Sequence, residues 1–182
     1  MFAFANTVKA AGSDALIVHA RKAWLKGLSP KENRSIPPLD YERVYRLAAR
    51  LTPLPVSING GIASLDVAEA QLAHVSGVML GRAAYHDPML LADVDHRLFG
   101  TVRAAIGLAD IIEAMARYAE PELAAGTRLN QITRHMLGLA NGLPGARSFR
   151  QILSVDACRR GAGVEVLYRA LEAVQTKAIA AE

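Results

Sequence analysis

Ser57-Ile58-Asn59-Gly60-Gly61-Ile62 and Gly77-Val78-Met79-Leu80-Gly81-Arg82-Ala83-Ala84-Tyr85 decide how this chain is read. Two short apolar runs, Val56 to Ile58 and Val78 to Leu80, each hand over to glycine, and a helical pattern lies between them. Buried parallel strands of an α/β protein read this way, as continuous apolar runs punctuated by turn residues. In this order, and about one strand-helix repeat apart, they match the last two units of a (β/α)8 barrel, whose loops after strands seven and eight commonly hold a phosphate. Glycines let the backbone come close to an anion, and a helix starting just beyond them aims free N–H groups at it. The first expectation is therefore a phosphate-bearing ligand or cofactor.

Upstream, Ala15 to Val18 is a third run of strand length, ending in His19. That position puts an imidazole at the C-terminal mouth of a barrel strand, beside Arg21, where such folds keep their chemistry. Phe2 to Ala11 reads as the end of a helix whose start is absent, stopped by Gly12. From Arg21 to Leu39 runs a connection long enough to be functional or disordered, and Trp24, Leu25 and Leu28 are apolar anchors that argue for order. Trp24 reads first as packing and second as a platform for a base. Asp40 is placed to cap a helix over Tyr41–Leu51, and Ser64 one over Leu65–Leu72.

Composition bounds the rest. Of 182 residues, 52% are hydrophobic and 21% charged, with no apolar run of membrane-spanning length, so a soluble globular protein is expected. The lone Cys158 excludes an internal disulfide, and the absence of a signal-like N-terminus points to the cytoplasm. The net charge is +4, and the segment Arg21 to Arg34 carries an equal excess by itself: Arg21, Lys22, Lys26, Lys31 and Arg34 against Glu32. Such a loop either attracts a polyanion or is a solvated surface. No metal-ligating cluster is read.

Past Pro88 the pattern turns helical. One helix begins near Ile111 and meets Pro121, which kinks or ends it; Ile132, His135, Met136 and Leu139 keep helical spacing up to Asn141-Gly142; Val164, Leu167, Leu171 and Val174 form a last stripe. Arg128, Arg134, Arg147, Arg150, Arg159 and Arg160 are scattered among them as ordinary surface charge or an RNA-binding face. The expected division is residues 1–100, the C-terminal portion of a barrel with strands six to eight, and residues 101–182, a helical domain.

Taken together, Ile17-Val18-His19-Ala20-Arg21-Lys22-Ala23-Trp24-Leu25, Gly27-Leu28-Ser29-Pro30-Lys31-Glu32-Asn33-Arg34, Ile58-Asn59-Gly60-Gly61, Gly81-Arg82-Ala83-Ala84-Tyr85 and Ile132-Thr133-Arg134-His135-Met136-Leu137-Gly138-Leu139 resemble the tRNA-dihydrouridine synthase family, in its A subfamily, over essentially the whole chain. The resemblance implies a TIM barrel followed by a helical tRNA-binding domain. It implies an FMN-dependent enzyme that uses NADPH to reduce a uridine of the tRNA D-loop at positions 20 and 20a. It also implies FMN contacts at His19, Arg21, Asn59, Gly60, Gly61, Gly81 and Arg82, and tRNA contacts at Lys31, Asn33, Arg34, Arg134 and Arg147.

The chain departs from that family in two respects. The family's proton-donor cysteine lies in the N-terminal half of the barrel and a lysine that touches the cofactor on a later strand; neither is here, so no catalytic residue is assigned. Only three strands can be counted where closure needs eight. Unpaired edges and exposed interior-facing apolar residues are expected, along with self-association or dependence on a complementary N-terminal half. Two further readings compete: a tRNA-gripping remnant without catalysis, and an isomerase of phosphorylated sugars, which needs neither the basic loop nor the helical extension.

Overall fold

The computed structural model describes residues 1–24, 26–102 and 106–179. Leu25, one of the expected loop anchors, lies outside the described residues. The chain divides into two compact units, Met1–Ala84 and Tyr85–Glu182. The division falls ahead of residue 100, where the sequence placed it, because the short helical turns after the last strand group with the later helices rather than with the sheet.

The first unit is α/β. It holds a parallel sheet of β1 (Leu16–His19), β2 (Val56–Asn59) and β3 (Gly77–Met79), in that order. Helices α1 (Phe2–Ala10), α3 (Tyr41–Leu51) and α4 (Leu65–Leu72) belong with it. Asp40 caps α3 by accepting from the Arg43 N–H, and Ser64 caps α4 by accepting from the Val67 N–H. Both helices therefore start where their capping side chains dictate. Val44, Leu47 and Leu51 on α3 pack with Val56 and Ile58 of β2 into one apolar core. Lys9 Nζ donates to the Leu51 carbonyl at 2.7 Å, placing a cation at the C-terminus of α3, where the helix dipole favours it.

Side chains alternate across a strand, so one sheet face carries Leu16, Val18, Val56 and Ile58 into this core. The opposite face carries Ile17, Ser57 and Gly77 in one row and His19, Asn59 and Met79 in the next. That face is open: Ile17 is 59% exposed and Met79 40%. Among the described residues no strand pairs with the outer edges of β1 or β3. Among the described residues the sheet is thus three strands with helices on one face and the other face exposed.

Between β1 and α3 the long connection closes on itself. An antiparallel bridge pairs Arg21 with Leu39, the Arg21 guanidinium donates to the Pro37 carbonyl, and the Asp40 N–H donates to the Ala20 carbonyl. Inside this loop a one-turn helix, α2 (Pro30–Asn33), starts at a reciprocal capping box between Ser29 and Glu32.

Helix α5 (Arg82–His86) begins in the first unit and ends in the second, where a 3₁₀ turn at Pro88–Asp93 and α6 (Val94–Phe99) follow. Next come α7 (Leu108–Ala124), α8 (Leu129–Thr133), α9 (Ala146–Val155), a 3₁₀ turn at Asp156–Cys158 and α10 (Glu165–Ile179). Pro121 lies within α7, which continues past it to Ala124. Ile112, Phe149, Leu153 and Leu167 are buried in a single core, and the buried Thr133 hydroxyl donates to the Leu153 carbonyl at 2.8 Å.

The helix expected through Ile132 to Leu139 ends at Thr133. Beyond it the chain turns on three-residue hydrogen bonds, from Met136 N–H to the Thr133 carbonyl and from Leu139 N–H to the Met136 carbonyl. Gly138 sits against the His86 carbonyl so closely that any side chain would collide with it. Ile132, Met136 and Leu139 of the expected stripe are buried and His135 is exposed, in a tighter winding than a continuous helix.

Candidate functional site

The parallel register puts His19, Asn59 and Met79 side by side at the C-terminal ends of the three strands. Neighbours in register share a face, so the His19 ring and the Asn59 amide meet: Nδ1 lies 2.6 Å from Oδ1. The other end of the amide, Nδ2, donates to the Met79 carbonyl at 2.8 Å. With its nitrogen so committed, Asn59 offers oxygen to the histidine, and His19 Nδ1 carries the proton. Nε2 is left as the ring's outward nitrogen.

Gly60 and Gly61 come next, with φ of 113° and 72°, left-handed backbone that glycine adopts without steric cost. Both are also crowded from below. A Cβ on Gly60 would come within 3.2 Å of His19 Cε1 and of Leu39 Cδ2, and one on Gly61 within 2.5 Å of Leu39 Cδ1. The Tyr41 hydroxyl donates to the Gly60 carbonyl at 2.9 Å, and burial raises its pKa above the usual phenol value, with Tyr45 adding to the rise, so it stays a donor.

At the end of β3 the situation is reversed. Nothing lies within 4 Å of where a Gly81 Cβ would stand, and its φ is outside the left-handed region. The exposed Arg82 beside it reaches back to the basic loop, donating from Nη1 to Ser35 Oγ and from Nη2 to the Arg34 carbonyl, each at 3.0 Å. Arg21 Nε is buried with no hydrogen-bond partner among the described residues. A cavity of about 420 Å³ at the end of β1 is lined by His19, Arg21, Lys22, Asp40 and Arg43 among others.

The basic loop is held from within. Asn33 Oδ1 accepts from the Trp24 N–H at 2.7 Å and Nδ2 donates to the Trp24 carbonyl at 3.0 Å and towards that of Leu28 at 3.3 Å. The Asn33 amide is thus spent on the loop's own backbone, whereas Lys31 and Arg34 are exposed. Trp24 is 43% exposed, so its side chain is not the buried anchor the sequence favoured. Hydrogen bonds from the Ser29 side chain and backbone hold the Glu32 carboxyl below its ordinary pKa.

In the second unit Arg134 lies in a cluster that the sequence did not assemble. Tyr85, Arg134, His135, Gly138, Asn141 and Arg150 line a cavity of about 250 Å³. Arg134 Nε donates to His135 Nε2 at 3.0 Å, the Tyr85 hydroxyl lies 3.0 Å from His135 Nδ1, and Arg150 donates to Asn141 Oδ1 at 3.1 Å. Arg147 is exposed on α9 and does not line this cavity. The signal available beforehand was Phe149, Ile152 and Leu153 at helical spacing, which orients α9 and with it Arg150. Cys158 is exposed and its thiol donates to the Ser154 carbonyl at 3.2 Å, a local helix-end contact. Among the described residues there is no group of three or more His, Cys, Asp or Glu able to hold a metal, and no helix long and apolar enough to cross a membrane.

A family model described as dihydrouridine synthase matches residues 1–177. The tRNA-dihydrouridine(20/20a) synthase of Shewanella oneidensis is 54% identical over 177 residues, 97% of this chain and 53% of that protein. The protein of the same name from Escherichia coli is 53% identical over 175 residues, 96% of this chain and 51% of its own length. That of Vibrio parahaemolyticus is 51% identical over 160 residues, 88% and 49%. The chain spans about half the length of these curated relatives.

Proposed function

This chain belongs to the dihydrouridine synthase family, and on that premise we propose that it supplies the C-terminal part of a cytoplasmic, FMN- and NADPH-dependent tRNA-dihydrouridine synthase acting on D-loop uridines 20 and 20a. The observation that carries this reading is the row His19, Asn59, Met79 opening directly onto Gly60-Gly61 and Gly81-Arg82 at the C-terminal ends of parallel strands. In a TIM barrel that is the active-site end, and the family fold is proposed to be completed by strands outside this chain.

The residues fit a flavin phosphate. Open space at Gly81, left-handed glycines at 60 and 61 and a neighbouring guanidinium with unused N–H groups form a cradle that a side chain at Gly81 would begin to fill. In this reading Gly60, Gly61, Gly81 and Arg82 hold the phosphate. His19, fixed by Asn59, offers Nε2 to the flavin, and Arg21 adds positive charge at the strand end. When bound, FMN supplies a hydride for the uracil 5,6 double bond and NADPH restores its reduced form. Lys31 and Arg34 contact tRNA phosphates from an ordered loop, with Arg134 and Arg147 doing so from the helical unit; Asn33 serves them by holding the loop. The proton for the second uracil carbon comes from an acid on the complementary N-terminal half.

The test is complementation. Supplied with an N-terminal barrel half carrying the cysteine, the chain is expected to retain flavin and form dihydrouridine in tRNA; a complex that forms but holds no flavin overturns the reading. The second reading, a tRNA-gripping remnant, is favoured by a sheet unit without a cysteine and by the basic loop held through Asn33 and the Ser29–Glu32 capping box. It predicts tRNA retention on a filter that is the same with and without FMN.

A further inference from the structure

We propose that Arg82 couples occupancy of the phosphate clamp to the order of the basic loop, so that anion binding at Gly81-Arg82 and the RNA-facing geometry of Lys31 and Arg34 are one linked equilibrium. The inference rests on the reading of Gly81-Arg82 as a phosphate site and adds a positioning role that the reading does not contain.

Two contacts join the loop to the glycine turns. At its neck, Leu39 lies under Gly60 and Gly61, and the Tyr41 hydroxyl holds the Gly60 carbonyl. Near its far end Arg82 donates to the Arg34 carbonyl and to Ser35 Oγ. The neck is closed by backbone bonds and the Arg21–Leu39 bridge, and α2 by its own capping box. The segment that carries Arg34 out of α2 is tied across to the sheet's glycine turns by the exposed Arg82 side chain.

An exposed arginine loses side-chain freedom when it is held in one geometry. A phosphate taking the free N–H groups of the same planar fork fixes that geometry, so the cost of holding Arg34 and Ser35 is already met when the anion is bound. Coupling of this kind is reciprocal: an RNA that orders the loop tightens the clamp by the same factor.

Trypsin reads the loop directly, because Lys22, Lys26, Lys31 and Arg34 are exposed. The full chain, complexed with the N-terminal barrel half, is digested without ligand, with FMN and with riboflavin, which lacks the phosphate, and flavin retention is measured in parallel by ultrafiltration. FMN is expected to slow cleavage at these four sites by about five-fold, a typical coupling factor, with riboflavin leaving it unchanged. Cleavage at Arg117, exposed on α7, serves as the reference that general stabilisation would also move. Ser35→Ala removes one of the two tethers without touching the clamp, and should keep FMN retention while losing most of the protection; Ser35→Thr, which keeps the hydroxyl, should restore it. Retained FMN with no protection, or with protection equal in Ser35→Ala, overturns the coupling and leaves the phosphate reading standing. A complex that retains no FMN overturns the phosphate reading and the coupling together.

Discussion

The two units bury their apolar residues in opposite ways. In Tyr85–Glu182 the helices surround one core, with Ile112, Phe149 and Leu167 fully buried. In Met1–Ala84 the sheet packs helices on one face and leaves Ile17 and Met79 to solvent on the other. A parallel sheet is ordinarily covered on both faces, so the helical unit closes its core while the sheet unit leaves one face open. The candidate site shares this division: His19 and Asn59 sit on the uncovered face.

The largest test of this contrast is separation. Expressed alone, residues 85–182 should unfold in one cooperative transition, and residues 1–84 should self-associate in size-exclusion chromatography; a monomeric, cooperatively unfolding sheet unit would break the comparison. Within the full chain, Phe149→Ala should lower the stability of the helical unit by about 3–5 kcal/mol in denaturant titration, the usual cost of emptying a closed core. Tyr41→Phe removes the bond to the Gly60 carbonyl and should cost about 1 kcal/mol, read from the unfolding of the sheet unit. Ile17→Ser should change stability by no more than about 0.5 kcal/mol in the chain alone, as an exposed site does, yet weaken complementation by an N-terminal half. A cost near that of Phe149→Ala would mean the face is already covered.

The smallest effect is local. The Glu32 carboxyl has a lowered pKa in the fold, so its contribution to the α2 cap is present above the ordinary carboxylate value and is lost as pH falls through the lowered one. The amide resonance of Ser29 should titrate in that acidic window in the native chain and stay fixed in Glu32→Gln.

Local signals were the legible ones. Asp40 and Ser64 announced α3 and α4 to the residue, because capping is decided within four positions of chain. The apolar runs Ala15 to Val18, Val56 to Ile58 and Val78 to Leu80 gave three strands, each ending within a residue of its run. The winding after Thr133 was not legible, and neither was the contact within it, where the His86 carbonyl, far away in sequence, leaves no room for a side chain at Gly138. Asn33 is a tRNA contact by resemblance, and nothing in its neighbours in sequence shows that both ends of its amide bond the Trp24 backbone. His19 and Asn59 were each placed correctly at a strand end, but their bond depends on register between strands that sequence spacing does not fix. The tether from Arg82 to Arg34 and Ser35 spans most of the sheet unit and had no sequence signature at all.

Gly81 raises a different kind of question: which force keeps it a glycine. Gly60 and Gly61 answer to the fold, through left-handed backbone and the leucine beneath them, so any substitution there confounds folding with function. Gly81 answers to neither, having ordinary backbone and empty space around its missing side chain. Alanine at this position should be invisible to the unliganded polypeptide and felt only by whatever occupies that space. Of the glycines proposed to hold the phosphate, it is the one where a mutation separates the demands of the guest from those of the host.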